Sequence, residues 1–275
     1  MKTLTRLLFI FAVLASAADV WCSVDYDDYR NDIFVLSQQA LSSQDIAMIC
    51  KKQLTPHQAA QQLRKAGFFS SHSESFSPYL HELYYQLGQY THRRNAEWTP
   101  ELMNVCVRLM RYTALFRTLQ QFKTPPHIEA VICVLPAIPV NPCEVLGEFD
   151  QAIQWDAVSG STMQKTIAIL PKRALHDVQI NVSPWLDAAG NTAAFKTKLQ
   201  PINYQLKNGI WQYRLQNDIP NKLVSGIEFM QLAIEIPPML QPGIYNCRVT
   251  VARNSGKIVG ERVFTLKVQP PTGQK

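Results

Sequence analysis

Apolar positions recur at three- and four-residue steps through the first half of the chain and at two-residue steps through the second. From Asp32 to Phe122 the spacing predicts helices. Ser43 opens a short one over Gln44 to Lys51. Thr55-Pro56-His57-Gln58 then supplies an N-cap, a proline whose missing N–H costs nothing at the first helical position, and a capping-box glutamine, with a stop expected at Gly67. Ser77-Pro78 repeats the cap-then-proline device ahead of Tyr79 to Leu87, and Thr99-Pro100-Glu101 does so a third time. The last helix carries the longest stripe: Leu102, Val105, Cys106, Leu109, Met110, Thr113, Phe116 and Leu119. Short connections between such helices imply a small bundle with antiparallel neighbours.

Pro125-Pro126 ends this pattern, because a proline pair cannot continue the helical hydrogen-bond ladder. Beyond it Ile128, Ala130, Ile132 and Val134 alternate. Val145 to Phe149 and Ile153 to Trp155 read as weaker strands, Thr166 to Leu170 and Val178 to Val182 as stronger ones. Asp187 to Asn191 is a loop, and Ile210 to Leu215 puts Trp211, Tyr213 and Leu215 on one face. Met230, Leu232, Ile234 and Ile236 alternate into a proline-flanked connection. There Pro242-Gly243 predicts a type II turn with Gly243 at positive φ. Tyr245, Cys247, Val249 and Val251 resume the alternation. Arg253-Asn254-Ser255-Gly256-Lys257 signals a hairpin before a strand with Phe264, Leu266 and Val268 on one face. With no crossover helix among them, such strands favour an antiparallel sandwich. The expected fold class is α+β in two domains: a helical domain over 18–122, a linker at 123–127, a β-sandwich over 128–270 and a tail at 271–275.

Val178-Gln179-Ile180-Asn181-Val182-Ser183, the small loop at Gly190, and Ile234-Glu235-Ile236-Pro237 leading through Pro242-Gly243-Ile244-Tyr245 to Val249-Thr250-Val251 carry a resemblance. Over roughly residues 128 to 270 the chain resembles the immunoglobulin-like β-sandwich that precedes the catalytic barrel in glycoside hydrolase family 123 and related bacterial proteins of unknown function. The resemblance implies an immunoglobulin-like fold and an association with carbohydrate. Gln231 departs from it, standing where such domains often carry a tryptophan. The family's barrel, with its acidic catalytic pair, would begin near residue 270, and the sequence stops at Lys275.

Composition adds compartment and chemistry. Lys2 and Arg6, an apolar core from Leu7 to Leu14, and Ala15-Ser16-Ala17 form a secretory signal peptide over residues 1–17, which implies a secreted or periplasmic protein. Cleavage after Ala17 is the expectation, cleavage after Cys22 the alternative; bulky Trp21 argues against a lipid anchor on Cys22. No stretch reaches the ~20 apolar residues of a membrane helix, so no integral span is expected. Loss of Lys2 and Arg6 lowers the formal charge from +6 to +4, and the remaining basic residues are scattered, so nucleic acid is not an expected partner. Asp25, Asp27, Asp28 and Asp32 read as a solvated acidic tail, since the glycine and terminal glutamate of a calcium loop are missing.

Of the six cysteines, Cys133 and Cys143 flank a proline-rich segment and make the natural local disulfide, with Cys50–Cys106 as a second pair; buried free thiols are the alternative for each. The histidines lack metal-ligand spacing, His81 and His92 on one helix being the nearest approach, and neither a metal nor a cofactor is expected. No G-x-S-x-G elbow or phosphate loop is present. A glycosidase needs two carboxylates about 5 to 9.5 Å apart, and no Asp-Glu doublet marks a strand end. Trp185, Trp155 and Trp211 are the candidate sugar-stacking residues, Trp185 being the one expected to lie exposed in its Ser183-Pro184 loop. These readings favour an exported, non-catalytic binding or accessory protein with a glycan or an envelope protein as partner. The alternatives are a glycan-processing enzyme or its remnant, and an envelope assembly component that pairs through a sheet edge.

Overall fold

The computed structural model describes residues 41–66, 74–92, 95–147, 149 and 154–270. The leader, the acidic stretch, Cys22 and the tail lie outside them. Four helices come first. Helix α1, Ser43–Cys50, is capped one residue earlier than expected: Ser42 accepts from the Asp45 amide while the Asp45 carboxylate accepts from the Ser42 amide. Helix α2, Pro56–Lys65, is closed by the Thr55/Gln58 capping box, and α4, Pro100–Leu119, by Thr99 accepting from the Leu102 amide. Helix α3, Ser77–Thr91, departs from the expected capping. Phe76 precedes it without a side-chain cap, and the Ser77 hydroxyl pairs with His81 Nε2 at 3.2 Å.

Helix α4 is buried well beyond its expected stripe, because Tyr112, Ala114, Leu115 and Thr118 are buried too. One side meets the other three helices; the other meets a sheet. That sheet joins β1 (Ala130–Leu135), β3 (Thr162–Pro171), β11 (Glu228–Glu235), β8 (Lys196–Lys207) and β9 (Ile210–Leu215), in that order and antiparallel throughout. A second sheet joins β2 (Gln154–Val158), β13 (Ile258–Gln269), β12 (Gly243–Arg253), β6 (Trp185–Leu186) and β7 (Thr192–Ala193), with β5 (Val178–Val182) also on β12. Within it β2 runs parallel to β13. Strands β4 (Leu175–His176) and β10 (Lys222–Leu223) pair separately.

Alternation along each strand decides which core a residue joins. Ala130, Ile132, Val134, Ile167, Ile169, Met230, Leu232 and Ile234 face the second sheet, where Trp155, Val249, Val251, Phe264 and Leu266 complete the sandwich core. Val131, Cys133, Leu135, Ala168, Leu170, Ile202 and Phe229, on the opposite face, form one cluster with the helices. The architecture is therefore α+β, helices on one face of an antiparallel sandwich. The 123–127 stretch, expected as a linker, joins parts that share this second cluster.

Two local expectations are corrected. Val145–Gly147 forms no strand, because its backbone is taken by α4 side chains and the turn after it: the Leu146 amide donates to Thr118 Oγ1 and the Leu146 carbonyl accepts from Gln121 Nε2. Gly243 is not at positive φ; it is the first residue of β12, paired with Val268. The turn lies earlier, where the Leu240 amide donates to the Pro237 carbonyl.

Candidate functional site

The three candidate tryptophans do not share a surface. Trp185 is 1% exposed, not open to solvent, because pairing of β6 with β12 and β7 points its ring inward. Its Nε1 donates to Thr197 Oγ1 at 2.9 Å, and its ring meets Phe195 at 5.1 Å between centroids. Trp155 is buried against Phe264, with the Lys165 ammonium 5.2 Å over its ring. Only Trp211 keeps partial exposure, and it packs with the helical cluster.

Neither expected disulfide is formed: Cys50, Cys106, Cys133, Cys143 and Cys247 are free and buried. Cys133 Sγ approaches the Ala168 carbonyl at 3.6 Å across the β1–β3 pair. Cys143 instead approaches the Val107 carbonyl of α4 at 3.9 Å, because an Asx turn, with the Cys143 amide donating to Asn141 Oδ1, sets the segment over the helix and not back along β1.

Exposed apolar side chains concentrate on β9, where Ile210, Tyr213 and Leu215 are 64%, 51% and 40% exposed. The strand exists because Asn208 and Gly209, with φ of 51° and 76°, make a type I′ turn. Sequence reading found β9 but passed over this Asn-Gly pair, which announces the hairpin and its partner β8. Strand β8 changes neighbour at Pro201. Lys196–Pro201 pair with β11 and Ile202–Lys207 pair with β9, so the hairpin projects as a two-stranded ribbon. It is held by Tyr204, Leu206 and Trp211 packed on the helical cluster, and by the Tyr204 hydroxyl, which donates to the Pro139 carbonyl at 2.8 Å.

The turn fixes which backbone groups are unused. Lys207 and Ile210 close a two-residue loop, so they form a hydrogen-bonded pair, and the bonding alternates from there. Ile210, Gln212 and Arg214 turn their amides toward β8. Trp211, Tyr213 and Leu215 turn theirs outward, where no further strand is paired among the described residues. The side chains of these same three residues lie on the helix-facing side, opposite Leu206, Tyr204 and Ile202. An aromatic row runs from Phe229 under the helices through Tyr204, 5.6 Å away, to exposed Tyr213, 6.2 Å further. An outward ladder of backbone donors and acceptors beside an apolar row suits an added strand.

Four glutamates of the sandwich sit against cations. The Glu129 carboxylate accepts from Arg253 Nη2 at 2.6 Å and Nε at 3.2 Å, with Lys257 at 3.8 Å and Arg173 at 3.9 Å. Burial alone would raise this carboxyl, but the Arg253 hydrogen bond and the three positive charges outweigh it and hold the group below the usual carboxylate range. Glu228 differs: burial, only partly offset by Arg111 at 3.9 Å, holds it above that range. Glu235 pairs with Lys196 and Glu261 with Arg248. His81 and His92 have separate partners, Ser77 and the Gln89 carbonyl. Among the described residues no group of three or more His, Cys, Asp or Glu is arranged to hold a metal ion, and no helix is long and apolar enough to cross a membrane.

No protein-family profile matches the chain, and no curated protein does. Several solved structures overlap it in part. A family 123 glycoside hydrolase from Clostridium perfringens, described in glycolipid glycan hydrolysis, is 15% identical over 43% of this chain, with a TM-score of 0.28; the overlap spans 23% of the hydrolase. AvmM, which catalyses macrocyclization in alchivemycin A biosynthesis, is 11% identical over 54% of this chain and 93% of its own, with a TM-score of 0.32. The seventh ScaB type I cohesin from Pseudobacteroides cellulosolvens is 10% identical over 53% and 96%, with a TM-score of 0.24. The family expected from the sandwich motifs is thus among the matches, but overlaps this loose carry no functional weight. The sandwich rests on its own strand pairing.

Proposed function

We propose that the protein is an exported, non-catalytic accessory protein that binds an extended segment of a protein partner along the free edge of β9. The observation that carries this reading is that edge itself: outward backbone groups at Trp211, Tyr213 and Leu215 beside an exposed apolar row. Unpaired edges are usually blunted by lysine, proline, a bulge or cover. Strand β9 has no lysine or proline, pairs with β8 in unbroken register, and bears Arg214 as its one charge. The placement of export rests on the leader, Met1 to Ala17.

The test uses the two registers of one strand. In Tyr213→Pro an outward amide is lost while the β8 pairing is kept; in Gln212→Pro an inward amide is lost and the hairpin itself suffers. A photo-crosslinking residue at position 210, in cells of the source organism, is expected to yield a discrete protein adduct that Tyr213→Pro abolishes in a chain still folded by circular dichroism. An adduct indifferent to Tyr213→Pro, or none, would sink the edge-binding reading. Turnover of chromogenic glycosides that a single acidic substitution removes would sink the non-catalytic one.

A further inference from the structure

The edge of β9 is complementary to itself. When two copies of the strand lie side by side and antiparallel, one register gives every outward residue a counterpart. Tyr213 faces Tyr213 of the second copy, and Trp211 faces Leu215 on either side of it. Each of these is a hydrogen-bonded pair, so the register makes about six backbone bonds. Any slide leaves one of the three without a counterpart.

Charge selects the same register. Arg214 is the one charge on β9, and its neighbour across the hairpin is Asn203. With Tyr213 at the centre, each Arg214 faces Gln212 of the second copy, whose side-chain oxygen can accept from the guanidinium. With Arg214 at the centre, two guanidinium groups would stand opposite each other, which is destabilising. The exposed side chains of Tyr213 and Leu215 meet Tyr213 and Trp211 of the copy on the helix-facing side, so apolar surface meets apolar surface. The ribbon is also held in place beforehand, by Gly209 set against Lys51 and by the Tyr204 hydroxyl on the Pro139 carbonyl. An edge already ordered loses little freedom on pairing.

We propose that two copies of the chain pair antiparallel through β9 about a two-fold axis at Tyr213. This rests on the reading of β9 as a strand-accepting edge, and adds what occupies that edge when no other protein does. The contact is isologous, so each copy spends its β9 and the association stops at two. The opposite end of the sheet cannot extend it, because β1 is buried along its length. A contact this small implies a weak dimer, in exchange with the monomer that would receive another protein's strand.

Sedimentation equilibrium of the purified full chain, across concentrations up to the high micromolar range, tests the pairing. A reversible monomer–dimer equilibrium that Tyr213→Pro abolishes is the expected result. Monomer throughout, or a dimer indifferent to Tyr213→Pro, overturns the proposal. Position 212 reads the axis. In Gln212→Glu each new carboxylate faces an Arg214, and the dimer dissociation constant should fall about fivefold at low salt; in Gln212→Lys it should rise by a similar factor. A dimer unchanged or weakened by Gln212→Glu also overturns the proposal, as an axis at Gln212 would set like charges together. Gln212 is exposed, so this pair of variants decides even if Tyr213→Pro does not fold. The two readings fail separately. A monomer that still yields the adduct from position 210 in cells removes the dimer and leaves the partner; a dimer whose adduct in cells has twice the mass of the chain removes the separate partner and leaves the dimer.

Discussion

Strands β1 and β9 terminate the same five-stranded sheet, and their backbones meet different surroundings. Strand β1 is buried along all six residues, and its start is closed by β13. The Glu129 amide donates to the Val259 carbonyl, and Gly260 comes so near that an added Cβ would stand 2.4 Å from the Ala130 carbonyl oxygen. Glu129 then gathers Arg253, Arg173 and Lys257 over the corner. A third edge, the first half of β8, lacks cover but carries Lys196, Lys198 and Pro201, the residues that discourage strand addition. Strand β9 has neither defence. One sheet thus seals an edge, blunts an edge and leaves one open, and the open one is the apolar one.

This contrast can be broken at the sealed side first. Gly260→Ala forces backbone against backbone, and a loss of about 3 kcal/mol in urea unfolding is expected, at the upper end for overpacking. Glu129→Gln leaves Arg253 without its carboxylate. Because the cations are partly exposed, the loss should be about 2 kcal/mol, less than for a fully buried pair. Its pH dependence has a definite sign. A carboxyl held low in the folded state stabilises above its unfolded pKa, so the gap between wild type and Glu129→Gln should be constant above about pH 5. It should close as pH falls through the lowered folded value, read from urea midpoints across pH.

On the open side the effects are smaller. Gly209→Ala strains a residue at φ 76° and sets a Cβ 3.0 Å from Lys51, where the hairpin meets α1; about 1 kcal/mol should be lost in thermal unfolding. Tyr213→Lys should change stability by less than about 0.5 kcal/mol, since the side chain is half exposed. It should nevertheless remove the photo-adduct formed from position 210, because it gives β9 the defence that β8 already has. An adduct unchanged by that lysine would mean that the open edge is not what the partner reads.

Local devices were legible in the sequence and long-range ones were not. Thr55-Pro56-His57-Gln58 and Thr99-Pro100 announced their helices because a cap is satisfied within four residues. The stripe of α4 was legible too, but not its second buried face, which exists only because a sheet lies behind it. Strand β8 was passed over, since Lys196, Lys198 and Pro201 give its first half no strong apolar alternation. Proline is tolerated there because β9 ends opposite Ile202, and beyond that end the Gln216 amide needs only the Pro201 carbonyl. Trp185 misled because its Ser183-Pro184 approach looks like a surface loop, while its exposure is decided by distant β12 and β7. Of the candidate site, the face of Trp211, Tyr213 and Leu215 was visible in the alternation; that nothing pairs beyond it was not.

Strand β13 is the clasp of the whole sandwich. It takes β12 on one side and β2, more than a hundred residues earlier, on the other, and its first residues close the corner at Glu129. Nothing translated before residue 258 can complete either arrangement, so the second sheet and the corner at Glu129 both wait for β13. Until that strand arrives, the β-prone segments it covers stay unprotected.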